Sequence, residues 1–413
     1  MKKLKVLKFG GTSMASLETL EKVSKIIKQD SSRRVVVVSA PGKRFDGDSK
    51  VTDLLYQRNI EEVEKRFSEF SDLEDEFKII RKKLKENCDD DYVASRGEYL
   101  MAKVLSEKLG FEFIDASELF KFKKRVFDIE NTKKTIKNRL KDVKAVVIPG
   151  FYGANENDDI VTFARGGSDF SGAVIASALG ASVYENWTDV DGVFMCNPKI
   201  VKNPKKLDTM TYDELRELSY MGASVLQEDC VFPIRDSGTK IHILNTFNEN
   251  STGTVIGGAH DSNGSVTGIS GLKNLFKIVV QKKRPVNKKY MIRETLRIFE
   301  KHKILLEFAL VDIDSCSFIV RPFDNVLEIK KEIENKPWSN GVKIEKEVST
   351  IVVIGGGFNS CPNVFSKVFD VLCENHVGLK FINFNEHGNM FIGVSSKNFE
   401  RTIRKLYAHF QFS

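Results

Sequence analysis

The segment Val6-Leu7-Lys8-Phe9-Gly10-Gly11-Thr12-Ser13 constrains the fold most, because a short apolar strand runs directly into two glycines and two hydroxyls ahead of an amphipathic helix. Glycines let backbone N–H groups approach an anion closely, a helix N-terminus adds roughly half a positive charge, and Lys8 supplies a compact full charge. The pattern predicts a phosphate cradle at a strand end. It is neither a P-loop, which closes on Gly-Lys-Ser/Thr, nor the dinucleotide GxGxxG. A plain strand-to-helix turn with capping hydroxyls accounts for the same residues, so motifs further along the chain must decide between the two.

Through about residue 260, apolar strands alternate with helical patterns. Lys5 to Phe9 is followed by a helix from Leu17 to Gln29 and a strand from Arg34 to Ser39, with further buried strands at Ala145 to Pro149, Ala181 to Trp187 and Lys240 to Asn245. Such alternation predicts parallel strands joined by crossover helices. The charged helical stretch from Ile60 to Asn87 reads as an outer face or insertion. Gly257 to Gly264 reads as a linker. Beyond it, the pattern around Ile278-Val279-Val280 recurs at Ile351-Val352-Val353, an offset of about 73 residues, which suits a duplicated small domain. Each copy reads strand, helix, strand, strand, helix, predicting a duplicated ferredoxin-like unit.

At 413 residues and 41% hydrophobic content, the chain has length for about two or three domains with real cores. The net charge of +7 comes from 64 basic and 57 acidic residues mixed along the chain. No basic block carries interleaved aromatics, which speaks against a nucleic-acid face. The six cysteines form no CxxC pair, as expected for reduced, buried thiols in a cytoplasm. No segment approaches the roughly 18 apolar residues needed to cross a bilayer, so no membrane partner is expected. The six histidines lack metal-ligand spacing.

Further clusters fall where a parallel α/β sheet puts its ligands, at strand ends and helix starts. Val35 to Gly42 is a buried strand ending in a permissive turn, with Thr52 at a helix start. Ser95-Arg96-Gly97-Glu98 heads a helical run from Tyr99 to Lys108. Arg165-Gly166-Gly167-Ser168-Asp169 opens an alanine-rich helix, pairing a second anion-binding start with an arginine fork. Trp187-Thr188-Asp189-Val190-Asp191-Gly192 sets two acids and a hydroxyl after a strand, without calcium-loop spacing. Two cation-plus-glycine pockets imply two anionic substrates, and the economical reading is phosphoryl transfer from a nucleotide to an acidic acceptor. A carboxylate acceptor is already deprotonated and needs no general base. Asp169 is therefore expected to orient Lys8 or join the metal shell, with Mg²⁺ bridging the donor phosphates.

KFGGTS at Lys8 to Ser13, VVVSA at Val36 to Ala40, SRGE at Ser95 to Glu98, RGGSD at Arg165 to Asp169 and WTDVDG at Trp187 to Gly192 together resemble the aspartate kinases of the amino-acid kinase family. The second half resembles their paired ACT domains. The resemblance implies an α/β catalytic domain over 1–262, a parallel-rich sheet sandwiched by helices, then ferredoxin-like ACT βαββαβ units over 263–345 and 346–413. It implies transfer of phosphoryl from MgATP to the side-chain carboxylate of L-aspartate, giving 4-phospho-L-aspartate and ADP, at the head of aspartate-derived amino-acid biosynthesis. By matching position, Lys8 and Asp169 are catalytic. Ser39, Ala40, Thr52, Glu98, Arg165 and Ser168 hold aspartate, Glu98 at its α-ammonium and Arg165 at a carboxylate. Lys8, Gly10, Gly11, Ser13, Thr188, Asp189, Phe194 and Lys199 fall on the nucleotide side. ACT pairs imply a lysine or threonine effector, with pocket edges at Val286 to Met291 and Glu307, and a homodimer or a tetramer built from it.

Departures from the family pattern gather on the nucleotide side: Phe194 for a common tyrosine, Asn197 for aspartate, Lys199 for a frequent arginine, and Ser224 for a lysine. Losing a cation near ATP bears on nucleotide affinity, with Lys199, Lys202 or Lys205 as candidates to compensate. Two alternatives stand beside the main reading: a catalytically weak, amino-acid-sensing regulatory subunit, and a kinase for another acidic amino acid.

Overall fold

The computed structural model describes residues 4–163, 166–223, 225–258, 265–356, 358 and 363–411. Arg165, Ser224 and most of the expected linker, residues 259–264, lie outside the described residues. Val6 to Phe9 and Val35 to Val38 are runs of four consecutive buried residues, the pattern of strands covered on both faces. They sit at the middle of an eight-stranded sheet ordered Thr209–Met210, Thr254–Ile256, Lys240–Asn245, Val183–Thr188, Lys5–Phe9, Arg33–Val38, Val146–Pro149, Glu112–Phe113. All neighbours run parallel except Lys240–Asn245 with Thr254–Ile256. The expected parallel α/β sheet is therefore present, with three short strands that carry too few residues for a periodic signal.

The helix Leu17–Lys28 starts at Ser16, whose hydroxyl and that of Thr19 close a reciprocal capping box. Its apolar stripe, Leu20, Val23, Ile26 and Ile27, is buried. The charged stretch after residue 60 divides into helices Ile60–Ser68 and Glu74–Lys85, and its Val63, Phe67 and Phe77 join the core that also holds Leu7, Phe9, Val36 and Val38. One expectation needs correction. The helix carrying SRGE begins at Asp90, capped by Asp89, and runs to Leu109, so Glu98 lies mid-helix rather than in a first turn. Gly97 signals close packing there: a Cβ on it would lie 2.6 Å from that of Ala40.

The C-terminal part forms a six-stranded antiparallel sheet ordered Leu306–Val311, Ser315–Val320, Val266–Lys282, Ser339–Gly355, Met390–Ser395, Leu379–Phe384. Two ferredoxin-like units emerge, but they are interleaved. The two central strands are 17 residues each, and each serves both copies. Leu275 to Lys282 pairs with Ser339 to Val348, whereas Val266 to Leu272 pairs with Thr350 to Gly355 and closes the second copy as its fourth strand. The register shifts between those halves, where Asn274 at φ 63° and Glu347 at φ 58° adopt the left-handed conformation. The boundary expected between 345 and 346 thus falls inside one continuous strand.

Packing divides the chain into two units. The first contains the parallel sheet; the second takes the antiparallel sheet together with Phe194–Lys205 and Met221–Ala223. Within the second unit, Ile269 N donates to Met195 O at 2.7 Å and Lys205 N to the Tyr407 hydroxyl at 2.9 Å. In the first, Leu207 N donates to Val193 O at 2.9 Å, and the buried Thr254 hydroxyl accepts from Val193 N and donates to Leu207 O. The chain leaves the first unit after Val193 and re-enters it at Lys206, and within that unit the two ends are hydrogen-bonded to each other and to Thr254. Among the described residues no helix is long and apolar enough to cross a membrane.

Candidate active site

Parallel strands end together, and their carboxyl ends open a crevice where ligands bind. Here that crevice is a cavity of about 410 Å³. Lys8, on the strand Lys5–Phe9, is 7% exposed. Its register partner on the neighbouring strand is Asn186, so both side chains share one face of the sheet. Alternation sends Glu185 and Trp187 to the other face, where Glu185 meets Lys5 and Arg33, each at 2.9 Å.

The helix Gly167–Ala178 delivers the opposing group. Gly166, at φ 74°, turns the chain into the helix, and Ser168 and Asp169 occupy the first turn. Gly172 leaves room for Tyr184, since a Cβ there would lie 2.7 Å from the phenol oxygen. The Tyr184 hydroxyl donates to Asp169 O at 3.0 Å, docking the helix start onto the strand. Asp169 Oδ1 then receives Lys8 Nζ at 2.6 Å and Asn186 Nδ2 at 2.9 Å.

Glycines bring the remaining wall close. Gly42 N donates to Gly11 O at 2.7 Å, and a Cβ on either glycine would lie within 3 Å of backbone on the facing turn. Ser39, Ala40, Thr52 and Glu98 join this wall, with Gly10, Gly11, Ser168 and Thr188 around it. Glu98 is 5% exposed, and its Oε2 has no hydrogen-bond partner among the described residues. Burial pushes its pKa up to about 7, against the opposing pull of the Ala40 backbone N–H and the Lys8 charge. A buried carboxylate oxygen without a donor is costly, and the residue that carries it lines the cavity.

The structure thus gathers ten of the expected residues around one cavity: Lys8, Gly10, Gly11, Ser39, Ala40, Thr52, Glu98, Ser168, Asp169 and Thr188. Arg165 lies outside the described residues. Ser13 is a correction: the tight turn Gly11–Met14 directs it inward, where it is fully buried and bonded to the Thr246 hydroxyl at 2.8 Å. Asp189 is exposed beside Thr188, whose hydroxyl donates to it at 3.2 Å. Phe194 and Lys199 belong to the second unit. Met291 is not a pocket edge; it is fully buried in the apolar core with Ile278, Phe299 and Phe318. The Glu307 side chain, 2% exposed, pairs with Arg321 at 2.6 Å.

Sequence patterns did not single out Asn186, Phe151, Lys43 or Lys50. Strand alternation from Lys8 was the available signal for Asn186. Phe151 lines the cavity at φ 79°, an outlying conformation for a bulky residue, and nothing local in its sequence announces it.

With this geometry in place, comparison with known proteins is decisive. Residues 3–245 match the model of the amino acid kinase family. Aspartokinase 3 of Bacillus subtilis is 30% identical over 447 aligned residues, covering 98% of both chains. The chain belongs to the aspartokinases of the amino acid kinase family. The aspartate kinase of Clostridium acetobutylicum, described as an allosteric enzyme, superposes on this aspartokinase with a TM-score of 0.91 at 35% identity, covering 98% of this chain and all of that one. Escherichia coli aspartokinase III shares the fold at 20% identity, with a TM-score of 0.81 over 98% and 99% of the chains.

Proposed function

We propose that this aspartokinase transfers the γ-phosphoryl group of MgATP to the side-chain carboxylate of L-aspartate, yielding 4-phospho-L-aspartate and ADP. The observation that carries the reading is the meeting, in one cavity, of a Lys8–Asp169 pair at 2.6 Å and a buried glutamate with an unpartnered oxygen. The first suits a phosphoryl group in flight and the second an ammonium-bearing acceptor. Escherichia coli aspartokinase III, similar in fold, is known in complex with aspartate and ADP.

A carboxylate oxygen of aspartate attacks the γ-phosphorus as the bond to the ADP oxygen breaks, and ADP leaves with the negative charge. No proton moves at the acceptor, so the site requires positioning and charge neutralisation rather than a base. Lys8 neutralises oxygens of the transferring group. Asp169 holds the Lys8 ammonium in place, and Asn186 holds Asp169. The unpartnered Glu98 oxygen accepts the acceptor's α-ammonium, with Ser39, Ala40 and Thr52 beside it.

Among the described residues, no group of three or more His, Cys, Asp or Glu is placed to cage a metal. That donor set fits a Mg²⁺ that enters with the nucleotide, held chiefly by substrate phosphates and water, with Asp169 as the cavity carboxylate nearest the transferring group. The cation supplies charge neutralisation on the donor phosphates.

Regulation by an amino-acid effector, lysine or threonine, belongs in this reading to the antiparallel sheet unit. A homodimer through the same sheet is supported by its outer strands, Leu306–Val311 and Leu379–Phe384, which leave Val311, Leu379 and Phe384 exposed along open edges. Purified protein incubated with MgATP, L-aspartate and hydroxylamine tests the activity. Aspartyl hydroxamate should accumulate, and its absence with aspartate while glutamate is consumed would overturn the substrate assignment.

A further inference from the structure

We propose that Lys43 and Lys50 are acceptor-binding residues, carried on a clamped loop that brings positive charge over the carboxylates of the amino-acid substrate. The inference rests on the proposed phosphorylation of aspartate and deepens it.

Five ionisable residues line the described part of the cavity: Lys8, Lys43, Lys50, Glu98 and Asp169. Lys8 is already engaged by Asp169 at 2.6 Å. Among the described lining residues, leaving out the two loop lysines would set one cation against two acidic side chains, a poor match for a dicarboxylate and a nucleotide together. With them the described lining carries a positive surplus, which raises local anion concentration and capture rate.

Loop construction explains why these two lysines are available. Val51 N donates to Pro41 O at 3.1 Å, closing the loop at its base. Inside it, Asp48 accepts from Arg44 N and Arg44 Nε and pairs with the buried Arg66 of the helix Ile60–Ser68. Arg44 also reaches Glu69 at 3.3 Å. Asp48 and Glu69 therefore balance the two arginines and pin the loop to the helix. Lys43 and Lys50, one near each end, have no ion-pair partner among the described residues, although both line the cavity.

Chain position assigns them to the acceptor rather than the nucleotide. Ser39 and Ala40 immediately precede the loop and Thr52 follows it, and Glu98 packs behind Ala40. The acceptor's ammonium and its carboxylates are thereby met from neighbouring walls by opposite charges.

Steady-state kinetics on the full-length protein test this, varying L-aspartate and MgATP separately. At low ionic strength, Lys43→Ala and Lys50→Ala should each raise the KM for aspartate about three- to tenfold, and the double variant more, with the KM for ATP unmoved. Added salt should shrink the difference from wild type, as screening does for partly exposed charges. Lys43→Arg and Lys50→Arg should restore the wild-type KM, and thermal melting establishes that each variant is folded. An unchanged aspartate KM in the folded double variant overturns the proposal, as does a rise confined to the KM for ATP. Both results require an active wild type, so they are distinct from wild-type failure to form hydroxamate, which would overturn the proposed function itself.

Discussion

Lys8 Nζ lies 2.6 Å from Asp169 Oδ1, joining the end of a central strand to the first turn of a helix some 160 residues further along the chain. The same carboxylate oxygen also accepts from Asn186 Nδ2 at 2.9 Å. Asp169 therefore fixes the Lys8 ammonium directly and Asn186 fixes Asp169, so that three elements meet at one ion pair, and each residue is at least partly shielded from water. Preorganised charge of this kind needs little rearrangement when charge develops on a transferring group.

Replacing Asn186 with leucine keeps its approximate volume and removes its donor. Asp169 would then hold Lys8 with one fewer restraint, in a position 1% exposed. We expect kcat to fall about ten- to a hundredfold with little change in either KM, the pattern of a positioning residue. A proportional rise in the KM for aspartate with kcat intact would instead place Asn186 at the substrate.

Lys8→Ala removes the full charge and should lower kcat at least about a thousandfold, within the range for loss of a principal electrostatic group. It also leaves Asp169 facing a cavity with Asn186 alone. Because the cavity admits water, the structural cost should stay near ~1 kcal/mol rather than the larger cost of an orphaned charge in a sealed interior. Circular dichroism should report a folded protein with a slightly lowered melting temperature. Turnover close to wild type would remove Lys8 from the mechanism.

Glu98 makes the site sensitive to pH. Burial raises its pKa to about 7, and only its ionised form can take an ammonium, so kcat/KM for aspartate should rise with pH and level off above about 7. Stability runs the other way. The folded pKa exceeds the unfolded value of about 4.3, so the folded state holds the proton more tightly, and stability is lost as pH climbs between the two values. The loss at alkaline pH is on the order of 3 kcal/mol. Glu98→Gln should bind aspartate poorly yet melt at a higher temperature than wild type at pH 8, with the gap closing near pH 5. A gap that does not change with pH would contradict the assignment.

Much of this was legible because it is local. A strand running into glycines, or a helix start carrying Ser-Asp, is written in consecutive residues, and Lys8, Gly10, Gly11, Ser168 and Asp169 reach the cavity as expected. Non-local packing was not legible. Gly97 reads as a helix boundary in isolation, but it sits mid-helix because Ala40 needs the space. Ser13 belongs to the motif yet turns inward to Thr246, a partner 233 residues away. In the second unit the repeat was plain, whereas the origin of the second copy's fourth strand, ahead of the first copy in the chain, was not. Periodicity reports which residues are apolar, not which sheet edge a strand joins, and only the pairing of Val266 to Leu272 with Thr350 to Gly355 reveals it.

Gly97→Ala tests how that packing reaches the chemistry. The added carbon would meet Ala40 Cβ at 2.6 Å, and Leu55 and Val51 at 3.3 Å. Alanine has no flexible end to swing aside, so the helix Asp90–Leu109 and the end of the strand Arg33–Val38 must separate. Overpacking of this size typically costs about 1–3 kcal/mol, which melting should report. The separation also stretches the hydrogen bond from the Ala40 backbone to Glu98, one of the interactions that favour the ionised carboxylate. With that donor withdrawn, Glu98 holds its proton to higher pH. The rise of kcat/KM for aspartate should move to the alkaline side in Gly97→Ala, whereas a variant that merely lost stability would keep the wild-type midpoint.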